Sequence, residues 1–262
     1  MISKKKFIAT ITEYYSTHGR HDLPWRTNIT PYSVLVSEIM LQQTQVGRVT
    51  KKFLSWMERY PTLEELSSAS LKDVLLLWQG LGYQRRAKAL LRIAEMNRVV
   101  PATFNELKEL PGVGEYTASA VSVFASNKFS HPVLETNIRT VLFHFFFKER
   151  KETVSDKELT TLLFGLEKEK EVLLLGARNW YYALMDYGAY LKEQGLSYNS
   201  KSSSYRKQSS FKGSTRELRA KILFAVAHGE KIPDDERSAS ILQHLVKEGF
   251  LEEQGNGLYM VK

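Results

Sequence analysis

The 262-residue sequence contains no cysteine. Disulfides, thiolate catalysis and cysteine-ligated zinc or iron–sulfur clusters are therefore excluded from it. It also lacks any run approaching the roughly 20 apolar residues needed to span a bilayer. The N-terminus, MISKKKFIATITEYY, has the charges of a signal peptide without its long apolar core, since Thr10, Thr12 and Glu13 interrupt it. These absences predict a soluble, cytosolic protein with no membrane partner. The six histidines, His18, His21, His131, His144, His228 and His244, show no spacing that would favour a metal. Acid is in short supply: 29 Asp and Glu face 37 Lys and Arg, for a net charge of +8. That excess favours a polyanionic partner, nucleic acid ahead of an anionic membrane surface. Apolar residues make up 43% of the chain, with 13 Phe, 13 Tyr and 4 Trp, so a sizeable core is feasible.

The pattern is helical almost throughout, and there is no internal repeat. Phe7, Ile8, Ile11, Tyr14 and Tyr15 form one stripe at helical spacing over residues 3–17. Thr30 followed by Pro31 reads as a helix start, a capping residue with proline at the first helical position. Further helices are expected over 45–61, 63–68, 71–78 and 84–99, then over 103–110 and onward from the turn "LPGVG". Longer helical runs cover 134–148, 156–167 and 175–193. Composition then shifts: YNSKSSSYRKQSSFKGS is serine-rich and basic, carrying Lys201, Arg206, Lys207 and Lys212 with no acid. Such a segment reads as a linker. Beyond it Ser214 and Glu217 form a capping-box pattern, two helices follow, and FLEEQGNGLYMVK reads as two strands about a Gly-Asn-Gly turn. Three parts are expected: a domain over 1–195, a basic linker over 196–213 and a winged-helix-like module over 214–262.

Three places carry chemistry. In LPGVGEYTASAV, glycines at 112 and 114 precede a helix, an arrangement suited to bringing backbone N–H groups close to a phosphate, although many ordinary turns contain Gly-x-Gly. Glu38, in PYSVLVSEIMLQQTQV, falls on the helix face of Val34, Leu35 and Leu41. A carboxylate on that apolar face is partly desolvated, which raises its pKa and suits a general acid; a buried glutamate satisfied by an arginine or a backbone group fits the pattern too. Glu135 stands just ahead of an apolar helix, two residues before Asn137, where a glutamate commonly serves that helix's N-terminus. Two carboxylates near a phosphate-binding turn are also what cleavage of a glycosidic bond requires, one to protonate the leaving group and one to stabilise the cationic sugar.

The ordered set LPWR, SEIMLQQTQV, WQGLGYQRRAKAL, LPGVGEYTASAV, LETNIRTVL and MDYGAYL resembles adenine DNA glycosylases of the MutY type, in the helix–hairpin–helix glycosylase superfamily. The resemblance covers about residues 5 to 193. It implies an all-α, two-lobed helix–hairpin–helix domain that removes adenine mispaired with 8-oxoguanine or guanine in double-stranded DNA. On matching positions, Glu38 resembles the catalytic glutamate, while Gln43 and Tyr83 resemble residues that wedge into the duplex when adenine is flipped out. Leu110, Gly112, Val113 and Gly114 lie in the hairpin that grips the DNA backbone, often with a monovalent cation on its carbonyls. Trp25 and Arg26 resemble residues lining the adenine pocket, with a core Trp beside a surface Arg as the other reading. Tyr116 stands where bifunctional relatives carry the Schiff-base lysine, which implies a monofunctional enzyme.

The sequence departs from the family in four respects. Glu135 replaces an aspartate, Gln84 replaces the second Tyr of a Tyr-Tyr pair, and Lys192 stands about where the first of four cluster cysteines is expected. The long C-terminal domain of typical members is replaced by the short module. The resemblance therefore implies a clusterless, monomeric member with Glu135 and Asn137 at the second catalytic position. A thymine/guanine mismatch glycosylase and a noncatalytic DNA-binding scaffold are the competing readings. Asn179 and Asp186 are expected to be structural.

Overall fold

A computed structural model of the chain describes residues 2–203, 211–255 and 257–262, with Asn199 described by its backbone alone. Arg206 and Lys207 of the basic segment lie outside the described residues, as does Asn256 of the expected Gly-Asn-Gly turn. The described residues are mainly helical and divide into two compact units. The first unit comprises Met1–Val34, Pro101–Glu109 and Val113–Lys207, and the second comprises Leu35–Val100, Leu110–Gly112 and Gln208–Lys262.

The first unit opens with α1 (Lys4–His18), whose N-terminus is closed by the Ser3 side chain accepting from the Lys6 amide. A four-residue turn, α2 (Pro24–Thr27), precedes α3 (Pro31–Leu41), which runs on into the second unit. Thr30 caps α3 as its sequence predicts, accepting from the Ser33 amide at 3.0 Å while the Ser33 hydroxyl accepts from the Thr30 amide at 2.8 Å. The second unit continues with α4 (Val46–Arg59), α5 (Leu63–Ser67), α6 (Leu71–Trp78) and α7 (Arg85–Met96). Its core is aromatic, with the buried Trp56 and Trp78 rings edge-on at 5.6 Å.

The chain returns to the first unit with α8 (Phe104–Lys108), started by a capping box between Thr103 and Glu106, and α9 (Glu115–Ser126). The helices α10 (Thr136–Phe146), α11 (Asp156–Glu167), α12 (Lys170–Leu175) and α13 (Ala177–Glu193) follow. Helix α13 is the spine of this unit: α10 and α1 both pack on it, and Trp180 and Tyr181 are fully buried. Gly188 lies directly against α10, and a methyl group there would sit 2.3 Å from the Asn137 carbonyl oxygen. A 3-10 turn at Asn199–Lys201 closes the unit, and the Val154 amide donates to the Lys201 carbonyl at 2.9 Å.

Helices α14 (Thr215–His228) and α15 (Glu236–Lys247) precede an antiparallel hairpin of β1 (Leu251–Gly255) and β2 (Leu258–Val261). Leu251 pairs with Val261 and Glu253 with Tyr259, after which the register shifts so that Gly255 faces Leu258. This C-terminal segment shares the second unit with residues 35–100. Helix α14 packs on α6, and the Glu248 carboxylate receives both Arg85 of α7 and Arg219 of α14. The expected capping box is only half formed. Ser214 accepts from the Glu217 amide, but the Glu217 carboxylate reaches the amide of Gly213 instead of that of Ser214.

Candidate active site

Helix α3 corrects the reasoning that pointed to Glu38. Every residue from Tyr32 to Met40 is buried, Ser33 and Ser37 included, whereas Leu41 is only half-buried. Glu38, 6% exposed, is therefore buried because the whole helix is enclosed, and not because it shares one apolar stripe. Its carboxyl group is held within the second unit by the same helix that delivers Gln43.

Gln43 follows directly from the end of α3 in the left-handed region, with φ 55°. Tyr83 adopts φ 49° at the end of the loop Gly80-Leu81-Gly82, whose glycines also have positive φ. Only Asn127 joins these two among the described non-glycine residues of positive φ. Such backbone costs energy and persists where surrounding contacts over-determine it. Those contacts come from Arg86, a residue that sequence reasoning missed. One arm of its guanidinium donates to the carbonyls of Ile39 (2.9 Å), Met40 (3.1 Å) and Gln42 at the end of α3. The other donates to Thr44 Oγ1 at 3.1 Å and to the carbonyls of Leu81 and Gly82 at 3.0 and 3.1 Å. Burial pulls the Arg86 guanidinium down to about 10, partly opposed by Tyr83, so it remains charged at neutral pH. Gln84, in place of the family's second tyrosine, is buried. A signal for Arg86 existed: at i, i+4 and i+7 it shares the apolar stripe of Leu90 and Ile93.

The turn between α8 and α9 uses its glycines for two reasons. Gly112 has φ +74° and a methyl group there would lie 3.0 Å from Ala89 Cβ, so both conformation and space call for glycine. Its carbonyl accepts from Gln42 Nε2 at 3.4 Å. Gly114 has an ordinary φ of −93°, and a methyl group would meet nothing within 4 Å. The chain itself does not need glycine at 114, and that residue leaves the start of α9 without a side-chain cap. Leu110 and Val113 are buried and anchor the turn. Tyr116 lies half-buried in the first turn of α9.

In the first unit, Glu135 is the N-cap of α10. Its Oε1 accepts from the Asn137 amide at 2.7 Å and the Ile138 amide at 3.0 Å, while Oε2 takes no hydrogen bond among the described residues. Burial raises the Glu135 pKa above the ordinary glutamate value, against the Asn137 amide, the Lys192 charge, the Ile138 amide and the Arg20 charge. Lys192 is one turn beyond Gly188 on α13; burial lowers its ammonium pKa and the Glu135 charge opposes that.

Trp25 is a core residue, and the surface placement considered for Arg26 is corrected, since its side chain is 5% exposed. Arg26 donates to both oxygens of Asp186, at 2.8 and 3.0 Å, and lies 4.0 Å over the Tyr182 ring. Arg20 donates to the same carboxylate from its amide and its side chain. Burial alone would raise the Asp186 pKa, but Arg26 and then Arg20 hold it below the usual aspartate value. Asn179 accepts from the Tyr15 hydroxyl at 3.3 Å.

The donors for an iron–sulfur cluster are missing, so the residues present do not fit that group. Among the described residues no cluster of three or more His, Asp or Glu could hold a metal ion, and no helix is long and apolar enough to cross a membrane.

Helices α8 and α9, packed together and joined by the glycine turn, form a helix–hairpin–helix. Residues 36–163 match the HhH-GPD superfamily base excision DNA repair protein family, so the chain carries a segment similar to that superfamily's domain. Over 131 residues it is 46% identical to the adenine DNA glycosylase of Mycolicibacterium smegmatis, covering 48% of this chain and 44% of that protein. Over 188 residues it is 34% identical to the adenine DNA glycosylase of Buchnera aphidicola subsp. Baizongia pistaciae, covering 70% of this chain and 52% of the relative. The chain thus spans about half the length of the curated relatives it matches. Its fold is similar to a thermostable thymine-DNA glycosylase, with TM-score 0.59 and 26% identity over 71% of this chain and 86% of that one.

Proposed function

We propose that the chain is a monofunctional glycosylase that hydrolyses the N-glycosidic bond of adenine mispaired with 8-oxoguanine or guanine in double-stranded DNA. It acts as a monomer in the cytoplasm. The observation that carries this reading is Glu38, a carboxyl group enclosed in the middle of α3, on the helix whose end presents Gln43. The names of the similar proteins support the same substrate.

The bond is inaccessible within the stack, so adenine leaves the duplex while Gln43 and Tyr83 fill the space beside its partner. Glu38 transfers its proton to adenine as the bond to the sugar breaks and the bonding electrons leave with the base. Glu135, through Oε2, faces the positive charge that develops on the sugar. Its Oε1 stays bonded to the first amides of α10, with Asn137 completing the cap. Water adds to the sugar and its proton returns to Glu38. Trp25 belongs to the wall of the adenine pocket and Arg26 is its buried brace. The turn Leu110–Gly114 takes the DNA phosphates, and its neutral carbonyl oxygens are donors of the kind that suit a monovalent cation. Tyr116 has no amine, so no imine forms there.

The test is single-turnover excision on duplexes bearing A:8-oxoG, A:G and T:G, with alkali to reveal the abasic site. Glu38→Gln lowers adenine excision by roughly 10² to 10⁴, the range of general acid catalysis, while duplex binding survives. Near wild-type excision by this variant removes Glu38 from the acid role. Thymine excision in place of adenine moves the chain to the chemistry of its thymine-DNA glycosylase neighbour, and no excision at all leaves a DNA-binding scaffold.

A further inference from the structure

Within the first unit, Glu135 stands between two points where α13 takes hold of the chain. Downstream of it, Gly188 lies against the Asn137 carbonyl. Upstream, the Tyr181 hydroxyl accepts from the Val133 amide and donates to Glu167 Oε1 at the end of α11. Tyr181 and Gly188 are seven residues apart, about two helical turns, and so share one face of α13. Tyr181 and Val133 are fully buried and Glu167 is 8% exposed, which puts this amide, phenol and carboxylate in the interior. The start of the same loop is tied to α13 as well, since Asn127 Oδ1 accepts from the Arg178 amide at 2.9 Å.

A buried amide is costly unless it is paired, and the phenol oxygen supplies the acceptor. The phenol has a proton of its own, which must point elsewhere if the oxygen is to face an amide. Glu167 accepts it, so the hydroxyl turns a lone pair to Val133 and the three groups polarise one another. Burial and the Glu167 charge push the Tyr181 hydroxyl well above the ordinary tyrosine range, so it keeps that proton. A phenylalanine would fill the same space. Packing alone asks for neither the hydroxyl nor a carboxylate buried beside it. We infer that Glu167 and Tyr181 are positioning residues for the proposed reaction: through the Val133 amide they set where the Glu135 carboxylate stands against the sugar. The inference rests on the proposed glycosylase chemistry. Rate is steep in such placement, with a shift of about 1 Å worth roughly 10²-fold.

The experiment uses the full chain. Tyr181→Phe removes the hydroxyl and keeps the ring. Adding Glu167→Leu also removes the carboxylate that the first change strands, which recovers stability without giving Val133 an acceptor. Glu167→Gln keeps an oxygen acceptor for the hydroxyl. Each protein is followed by melting curves, by single-turnover excision from an A:8-oxoG duplex and by binding to a duplex carrying non-hydrolysable 2′-fluoro-adenosine. An NMR titration of the Glu135 carboxyl is made in the free protein. Both Phe variants lose between about tenfold and 10²-fold in excision, the scale of a misplaced group, while binding holds at the wild-type value. Their Glu135 titrates higher still, because its carboxyl draws away from the Asn137 and Ile138 amides that favour the ionised form. Glu167→Gln excises and titrates as wild type does. If excision recovers together with the melting point in the double variant, the pair is structural only and the inference is overturned. An unmoved Glu135 titration in the folded Phe variants overturns it too. The titration needs no DNA, so the two readings fail separately. Wild-type protein that releases no adenine removes the glycosylase reading, and the titration then decides the placement of Glu135 by itself.

Discussion

Replacing Arg86 with lysine tests how the two left-handed residues are held. The guanidinium serves six acceptors on three stretches of chain, at 39–42, at Thr44 and at 81–82. A lysine ammonium has three donors on one atom and cannot span them, so at least three of the six bonds are lost, although the Gln42, Leu81 and Gly82 carbonyls keep Thr44 Oγ1 or Trp78 Nε1 as donors. At about 1 kcal/mol for each hydrogen bond lost, the loss is about 3 kcal/mol. For a chain of this size that corresponds to a melting point lower by roughly 6–12 °C. The effect on function is larger than a uniform loss of stability would give, because Gln43 and Tyr83 lose their strained conformations well below the melting point. We therefore predict that Arg86→Lys, assayed at 25 °C where it is still folded, loses selectivity for mismatched over matched duplex. Differential scanning calorimetry and competitive binding measure the two effects. A melting point within about 2 °C of wild type, less than 1 kcal/mol, with selectivity intact, refutes the reasoning.

In the proposed reaction Glu135 is ionised when it faces the sugar cation, and its pKa is raised, so excision is expected to fall with decreasing pH through a value above that of an ordinary glutamate. Lys192→Met removes a charge that favours the ionised form and moves this acid limb of the pH–rate profile upward; an unmoved limb separates Lys192 from Glu135. Asp186 has a depressed pKa, so its contribution to stability is present above the unfolded value of about 3.9 and is lost as pH falls through the lower folded value. Asp186→Asn costs about 3 kcal/mol at pH 7, as expected when one partner of a buried ion pair is removed, and the gap to wild type in urea melts narrows in acid; a constant gap contradicts this. In the basic segment, Lys201 is already committed, donating to the Arg150 carbonyl at 2.5 Å. Neutralising Arg206, Lys207 and Lys212 together lowers the slope of log K against log salt by up to about 3. An unchanged slope takes the segment off the DNA.

Long helices were legible in the sequence: α1, α4, α7 and α13 lie where it places helices, and capping residues mark the starts of α3 and α14. The missed helices α2 and α12, of four and six residues, are too short for a period to show. The candidate site residues come from the sequence; their contacts do not. Glu38 is buried, but the enclosure of both faces of α3 depends on packing that no local window contains. Glu135 showed its capping geometry because the helix start lies next to it in sequence. Arg86 with the end of α3, Lys192 with Glu135, and the grip of Arg20 and Arg26 on Asp186 join residues at least 42 positions apart, and a single sequence offers no signal for such pairs beyond a charge on an apolar stripe.

Gly188 has a consequence for heredity. Every missense change in a glycine codon adds at least a Cβ, and at this position that atom collides with the backbone of Asn137, at the start of the helix that Glu135 caps. A missense substitution in codon 188 would therefore disturb the start of α10, and with it the Glu135 cap, from the neighbouring helix. Under the proposed function, such an allele would raise the mutation rate of the genome that carries it, the glycine codon included.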